Sequence, residues 1–160
     1  MENKKIGFTI GKFAPLHKGH QFLIETALKE MDEVIVVIYD TDLIDTNTES
    51  RAKWIKDIYP DVKILIAKNP PNQYGLDRES VKIQMEYLLK IIDGIKPTHF
   101  YSSEPYGKYV ADYMKIIDRR VDDNREKVPI RASTIRNNLE KNKKWIANNV
   151  YSDLKRGDKK

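Results

Sequence analysis

The chain has 160 residues, 40% hydrophobic and 33% charged, with a net charge of +5 and no cysteine. This length suits one domain with a substantial core, and the lack of cysteine excludes disulfides, thiolate zinc sites and a thiol nucleophile. No apolar stretch is long enough to span a bilayer, and Met1 to Lys5 leads into a strand-like segment rather than a signal peptide. A single cytoplasmic domain over 1–160 is expected, with no membrane partner. Lys155, Arg156, Lys159 and Lys160 gather basic charge into an expected flexible, solvated tail over 155–160. Aromatic and basic residues do not interleave in the manner that stacks bases, so no nucleic-acid partner is expected.

The elements alternate along the chain. Residues 6–10 read as a strand, and 19–29 as a helix with Phe22, Leu23, Ala27 and Leu28 at helical spacing. The unbroken apolar run 34–39 marks a strand buried on both faces. Residues 50–58 form a second predicted helix, with Thr48 or Ser50 near its cap. A strand at 62–66 leads to the loop Asn69-Pro70-Pro71-Asn72. The longest predicted helix, 79–92, sets Val81, Met85, Leu88, Leu89 and Ile92 on one face. A strand at 98–102, a short helix at 107–114 and a strand at 116–121 follow, and helices at 133–139 and 143–154 close the chain. Strands separated by helices pair in parallel through right-handed crossovers. The expected fold is therefore α/β, a three-layer Rossmann-like open sheet, mostly parallel, with helices on both faces. Trp54 and Trp145 are expected to serve packing, and His99 to be a strand residue satisfied by its neighbours.

The segment Gly11 to His20 leaves the first strand and enters the first helix. Gly11 permits close backbone approach and Pro15 sets the turn. His17 and His20, three apart, share one face of the first helical turn. Gly19 between them leaves room for a phosphate, and the helix start adds N–H donors and a positive dipole end. Lys12 and Lys18 add positive charge. Two histidines at this spacing also suit a metal, but no third or fourth ligand stands nearby. The segment resembles the G-x-F-x-P-x-H-x-G-H signature of the nucleotidyltransferase superfamily, with every fixed position matched.

A second superfamily motif, I-S-S-T-x-x-R, is similar to Ile130-Arg131-Ala132-Ser133-Thr134-Ile135-Arg136. Ser133 takes the usual threonine position and Arg136 the final arginine, offering hydroxyl, N–H and guanidinium groups to phosphates. Arg131 replaces the usual first serine, and its role is open at this point.

The middle of the chain resembles the nicotinamide-mononucleotide adenylyltransferase domain of the bifunctional NAD-salvage protein. Ser50-Arg51-Ala52-Lys53-Trp54-Ile55 is similar to that family's R-x-x-W-[LI] helix. Phe100 to Gly107 is similar to its S-S-E-x-Y-G segment, and Val121-Asp122-Asp123-Asn124-Arg125 to its V-D-x-x-R approach to the second motif. Trp145 to Val150 resembles its tail, with Asn148-Asn149 replacing the usual proline region. No G-x-x-x-x-G-K-[ST] loop and no N-terminal helix-turn-helix occur, so neither kinase nor repressor activity is expected.

The resemblance implies transfer of AMP from ATP to nicotinamide mononucleotide, giving NAD and pyrophosphate. It assigns His17, His20 and Arg136 to catalysis, and Gly11, Lys12, Phe13, Gly19, Ser103, Glu104, Arg125, Ser133 and Thr134 to nucleotide binding. Arg51 is implied to contact a substrate phosphate, and Tyr74 to stack on the nicotinamide ring. Mg²⁺ is expected to bind mainly through ATP phosphates and water, not protein ligands. Alternatives are another phosphorylated acceptor such as phosphopantetheine, a CTP-dependent cytidylyltransferase, and a non-catalytic ATP or NAD sensor. Homo-oligomerisation and the choice between amide and acid mononucleotide stay open.

Overall fold

The structure, a computed structural model, describes residues 4–72 and 75–157. Strands β1 (Ile6–Gly11), β2 (Glu33–Tyr39), β3 (Lys63–Ala67), β4 (His99–Ser102) and β5 (Ile117–Arg120) form one sheet in the order β3-β2-β1-β4-β5. Every pairing is parallel. Helices α1 (Lys18–Glu30), α2 (Thr48–Ile58), α3 (Arg78–Ile91), α4 (Gly107–Met114), α5 (Ala132–Asn137) and α6 (Asn148–Gly157) connect and flank it.

Strand β2 shows why the sheet is covered on both sides. Its Val34, Val36 and Ile38 enter one buried cluster with Leu23, Ile24, Trp54, Ile55, Ile135 and Val150, from α1, α2, α5 and α6. Its Ile35 and Val37 enter another with Met85, Leu88 and Val110, from α3 and α4. Successive strand side chains point to opposite faces, so a continuous apolar run requires helices on both. The result is the three-layer Rossmann-like sheet that the alternating elements predict.

Several boundaries differ from the sequence reading. The cap of α2 is Asn47, whose Oδ1 accepts from the Ser50 N–H at 2.7 Å, and the Thr48 hydroxyl donates instead to Glu49. Leu89 leaves the buried stripe of α3 and is 39% exposed, because it lies one helical step beyond Leu88. The predicted helix 143–154 is interrupted. Residues Lys143–Trp145 form a short 3-10 turn, and Ile146 is extended at φ −130° so that its side chain is buried before α6 begins. The tail expected over 155–160 is described only as far as Gly157. Lys155 and Arg156 belong to α6, pairing with Glu140 and Asp153, while Lys159 and Lys160 lie outside the described residues. Trp54 is buried and its Nε1–H donates to Asp153 at 2.7 Å, fastening α2 to α6. Trp145 packs partly buried against the same core. His99 meets the Thr98 hydroxyl at 2.8 Å, a partner adjacent in the strand.

The chain runs from β1 outward to β3, then crosses back through α3 to place β4 on the other side of β1. The switch point therefore lies between β1 and β4, at whose carboxyl ends such sheets bind ligands. At the other end of β1, Gly7 leaves room for Met31 at the close of α1 and for Tyr101 of β4. A Cβ there would sit 2.8 Å from both Met31 Cγ and Tyr101 Cε1. Gly7→Ala is expected to cost about 1–3 kcal/mol through overpacking, read as a lowered midpoint in thermal or urea denaturation.

Candidate active site

The start of α1 is built from its two histidines. His17 is the N-cap, and its Nδ1 accepts from the N–H of Gly19 at 3.0 Å and of His20 at 3.4 Å. His20 Nδ1 in turn accepts from the His17 N–H at 3.2 Å, which closes a reciprocal capping box. The rings stack with centroids 3.7 Å apart, and Phe13 meets His20 edge-on at 4.7 Å. Gly19 is required by this arrangement, since a Cβ there would lie 2.8 Å from His17 Cε1.

Burial holds the His17 pKa down at about 4, helped by the nearby Arg125 charge. Burial also lowers His20 well below the ordinary range, with the charges of His17 and Arg125 adding to it. Both rings are neutral near pH 7. With each Nδ1 accepting a hydrogen bond, each ring carries its proton on Nε2. The motif therefore presents two uncharged N–H donors whose tautomers the backbone fixes.

A pH dependence follows for stability. Above the ordinary imidazole pKa of about 6.5, His17 is neutral folded or unfolded and its full contribution is present. As pH falls toward 4, the unfolded chain gains a proton that the folded chain refuses. The expected loss is about 3 kcal/mol by pH 4. Urea denaturation from pH 7.5 to 4.5 should show a steeper loss in the wild type than in His17→Asn.

These rings line a cavity of about 330 Å³ at the switch point. Its walls are the end of β1, the segment Ser102 to Glu104 after β4, and Arg125, Arg131, Ser133 and Arg136. Gly11, Phe13, Gly19, Ser103 and Glu104, assigned to nucleotide binding in the sequence reading, also line this cavity. Arg125 pairs with Glu104 and donates to the Ile130 carbonyl at 3.4 Å. Asp122 shapes the loop that carries it, accepting from the N–H groups of Glu126, Lys127 and Val128, each at 2.9 Å. Arg136 is steered by a 2.7 Å bond to the Ala14 carbonyl, which ties α5 to the first motif. Thr134, expected beside Ser133 at the phosphates, is exposed and outside the wall. Ser102 and Tyr106 line the cavity and were not singled out from the sequence, although they flank Ser103 and Glu104 in the same segment.

A second cavity, about 310 Å³, adjoins the first and shares Ile10, Gly11 and Tyr106 with it. Its further lining is Lys12, Tyr39, Pro70, Pro71, Leu76 and Gln84, so it is largely apolar and aromatic. Lys12 thus stands at this cavity and not among the residues lining the arginine cavity. Arg51 also departs from expectation. It is fully buried, donating to the carbonyls of Lys12 at 2.7 Å, Tyr39 at 3.2 Å and Asn47 at 3.3 Å, with Asp40 3.5 Å away. Facing carbonyls, it braces the backbone of the first motif rather than offering its charge to a substrate. Tyr74 lies outside the described residues.

Among the described residues no three His, Asp or Glu side chains cluster as a metal cage, and no helix is long and apolar enough to cross a membrane.

The cytidylyltransferase-like family model matches residues 8–138. A NadR protein in complex with NR superposes with a TM-score of 0.59 at 25% identity, covering 91% of this chain and 43% of that one. A bifunctional NMN adenylyltransferase/ADP ribose pyrophosphatase from Francisella tularensis, complexed with AMP and a manganese ion, gives 0.64 at 19% identity over 95% of this chain and 52% of that one. The chain thus spans about half the length of these two proteins. A putative nicotinate-nucleotide adenylyltransferase from Vibrio parahaemolyticus gives 0.58 at 20% identity, over 95% of this chain and 99% of that one. The matched span contains both the histidine motif and the arginine of α5, and the chain belongs to the cytidylyltransferase-like family.

Proposed function

We infer that this chain transfers AMP from Mg-ATP to nicotinamide mononucleotide, releasing NAD and pyrophosphate. The observation that carries this reading is the pairing of two cavities across Ile10, Gly11 and Tyr106. One is lined by two neutral N–H donors and three guanidiniums, which suits a polyphosphate. The other is lined by two tyrosines, two prolines and a leucine, which suits a flat ring. Burial raises the pKa of Tyr39 and of Tyr106, so both stay uncharged. A cationic pyridinium gains from such aromatic faces.

In this reading an oxygen of the acceptor phosphate attacks the α-phosphorus of ATP. The bond from that phosphorus to its bridging oxygen breaks, and the electron pair leaves on pyrophosphate. The acceptor phosphate is largely ionised at neutral pH, its second pKa being about 6, so no general base is required. Catalysis consists of alignment and of donors aimed at developing charge. His17 and His20 give Nε2–H donors to the α-phosphate without adding charge, while Arg136 and Ser133 hold the leaving end. A magnesium ion, when bound, would neutralise charge on the triphosphate and the departing pyrophosphate.

The test is a matrix of ATP or CTP against nicotinamide mononucleotide, phosphopantetheine and glycerol 3-phosphate, with pyrophosphate release measured. Release above background only for ATP with nicotinamide mononucleotide supports the reading. Release with CTP or another acceptor moves the protein to a different branch, and silence throughout with retained ATP binding indicates a sensor.

A further inference from the structure

Three guanidiniums line the cavity of the histidine motif, and they are not equivalent. Arg125 is committed to Glu104 and the Ile130 carbonyl. Arg136 has one nitrogen on the Ala14 carbonyl. Arg131 has no side-chain hydrogen bond or ion pair among the described residues, yet it forms part of the wall.

Its backbone is firmly held. Ile130 before it is buried, and the Arg131 carbonyl accepts from the N–H of Thr134 at 3.1 Å and of Ile135 at 3.4 Å. The side chain thus starts from a fixed point on the rim, with its charge uncommitted. The charge balance gives it a task. Glu104 offsets Arg125 and the histidines are neutral, so without Arg131 a single guanidinium would face a magnesium-bound triphosphate that still carries net negative charge.

Position assigns the end of the nucleotide. In an in-line displacement the leaving group departs opposite the attacking oxygen. The acceptor cavity meets the nucleotide cavity at Ile10, Gly11 and Tyr106, and neither Arg131, Ser133 nor Arg136 lines the acceptor cavity. The pyrophosphate end therefore lies toward the wall where Arg131 stands.

We propose that Arg131 is a further phosphate-binding residue, holding the β,γ end of ATP and the pyrophosphate that leaves. This rests on the adenylyltransferase reading above, but its test needs no acceptor. Mg-ATP and AMP are titrated calorimetrically into wild type, Arg131→Ala and Arg131→Lys. Charge-assisted contacts of this kind correspond to about a tenfold to hundredfold change in affinity. Arg131→Ala should weaken Mg-ATP by that factor and leave AMP unchanged, with partial recovery in Arg131→Lys. In the reverse reaction, the KM for pyrophosphate should rise while that for NAD stays constant. Unchanged Mg-ATP affinity in Arg131→Ala, or equal losses for ATP and AMP, would overturn the proposal. A wild type that binds Mg-ATP with this dependence on Arg131 but makes no NAD contradicts the acceptor assignment alone.

Discussion

His20→Ala should lower turnover by roughly 100- to 1000-fold, the usual cost of removing one donor aimed at developing charge, while the protein stays folded. The same change removes one hydrogen bond, from the His17 N–H, worth about 1 kcal/mol. The neighbouring position separates catalysis from capping. His17→Ala loses the N-cap of α1, at about 0.5–2 kcal/mol, together with the Nε2–H donor. Asparagine caps helices well but cannot reach where the imidazole Nε2 stands. His17→Asn should therefore keep most of the stability of the wild type and fall to the turnover of His17→Ala. Initial rates at saturating substrates and urea midpoints on the same preparations check both halves. Near-normal turnover in His17→Asn would show that this ring is only a cap.

Arg51→Leu should destabilise the fold by about 2 kcal/mol or more. The guanidinium donates to the carbonyls of Lys12 and Tyr39, and each buried acceptor left without a donor costs about 1–3 kcal/mol, while the Asn47 carbonyl keeps the backbone N–H of residue 51. The carbonyl of Lys12 belongs to the turn between β1 and α1, so the loss should also loosen the histidine motif. Reduced turnover is expected in the fraction that remains folded, together with an earlier urea midpoint. An Arg51 that bound substrate would behave differently: its loss would raise KM for the mononucleotide and leave the urea midpoint in place.

The sheet was legible because apolar runs such as 34–39 have one stable solution, burial between two helical layers. The histidine motif was legible because its residues are contiguous, and the turn that joins them is local. The reading was weaker where a residue's task depends on the rest of the fold. Arg51 was given to substrate by the resemblance of its helix alone, which carries no sign of the carbonyls that meet it from Lys12 and Tyr39. Arg131 could not be assigned, since only the packing of α5 against the first motif brings it to the cavity wall. The break at Ile146 was missed because 143–154 contains neither proline nor glycine to mark it, and it coincides with a buried, extended Ile146.

Label transfer tests the proposed reaction most directly. The protein is incubated with Mg²⁺, nicotinamide mononucleotide and ATP labelled with ³²P at either the α or the γ position. The expected result is label from α-labelled ATP in NAD, and label from γ-labelled ATP only in pyrophosphate. Label from the γ position in a nucleotide product, or none from the α position in any dinucleotide, would contradict adenylyl transfer to this acceptor.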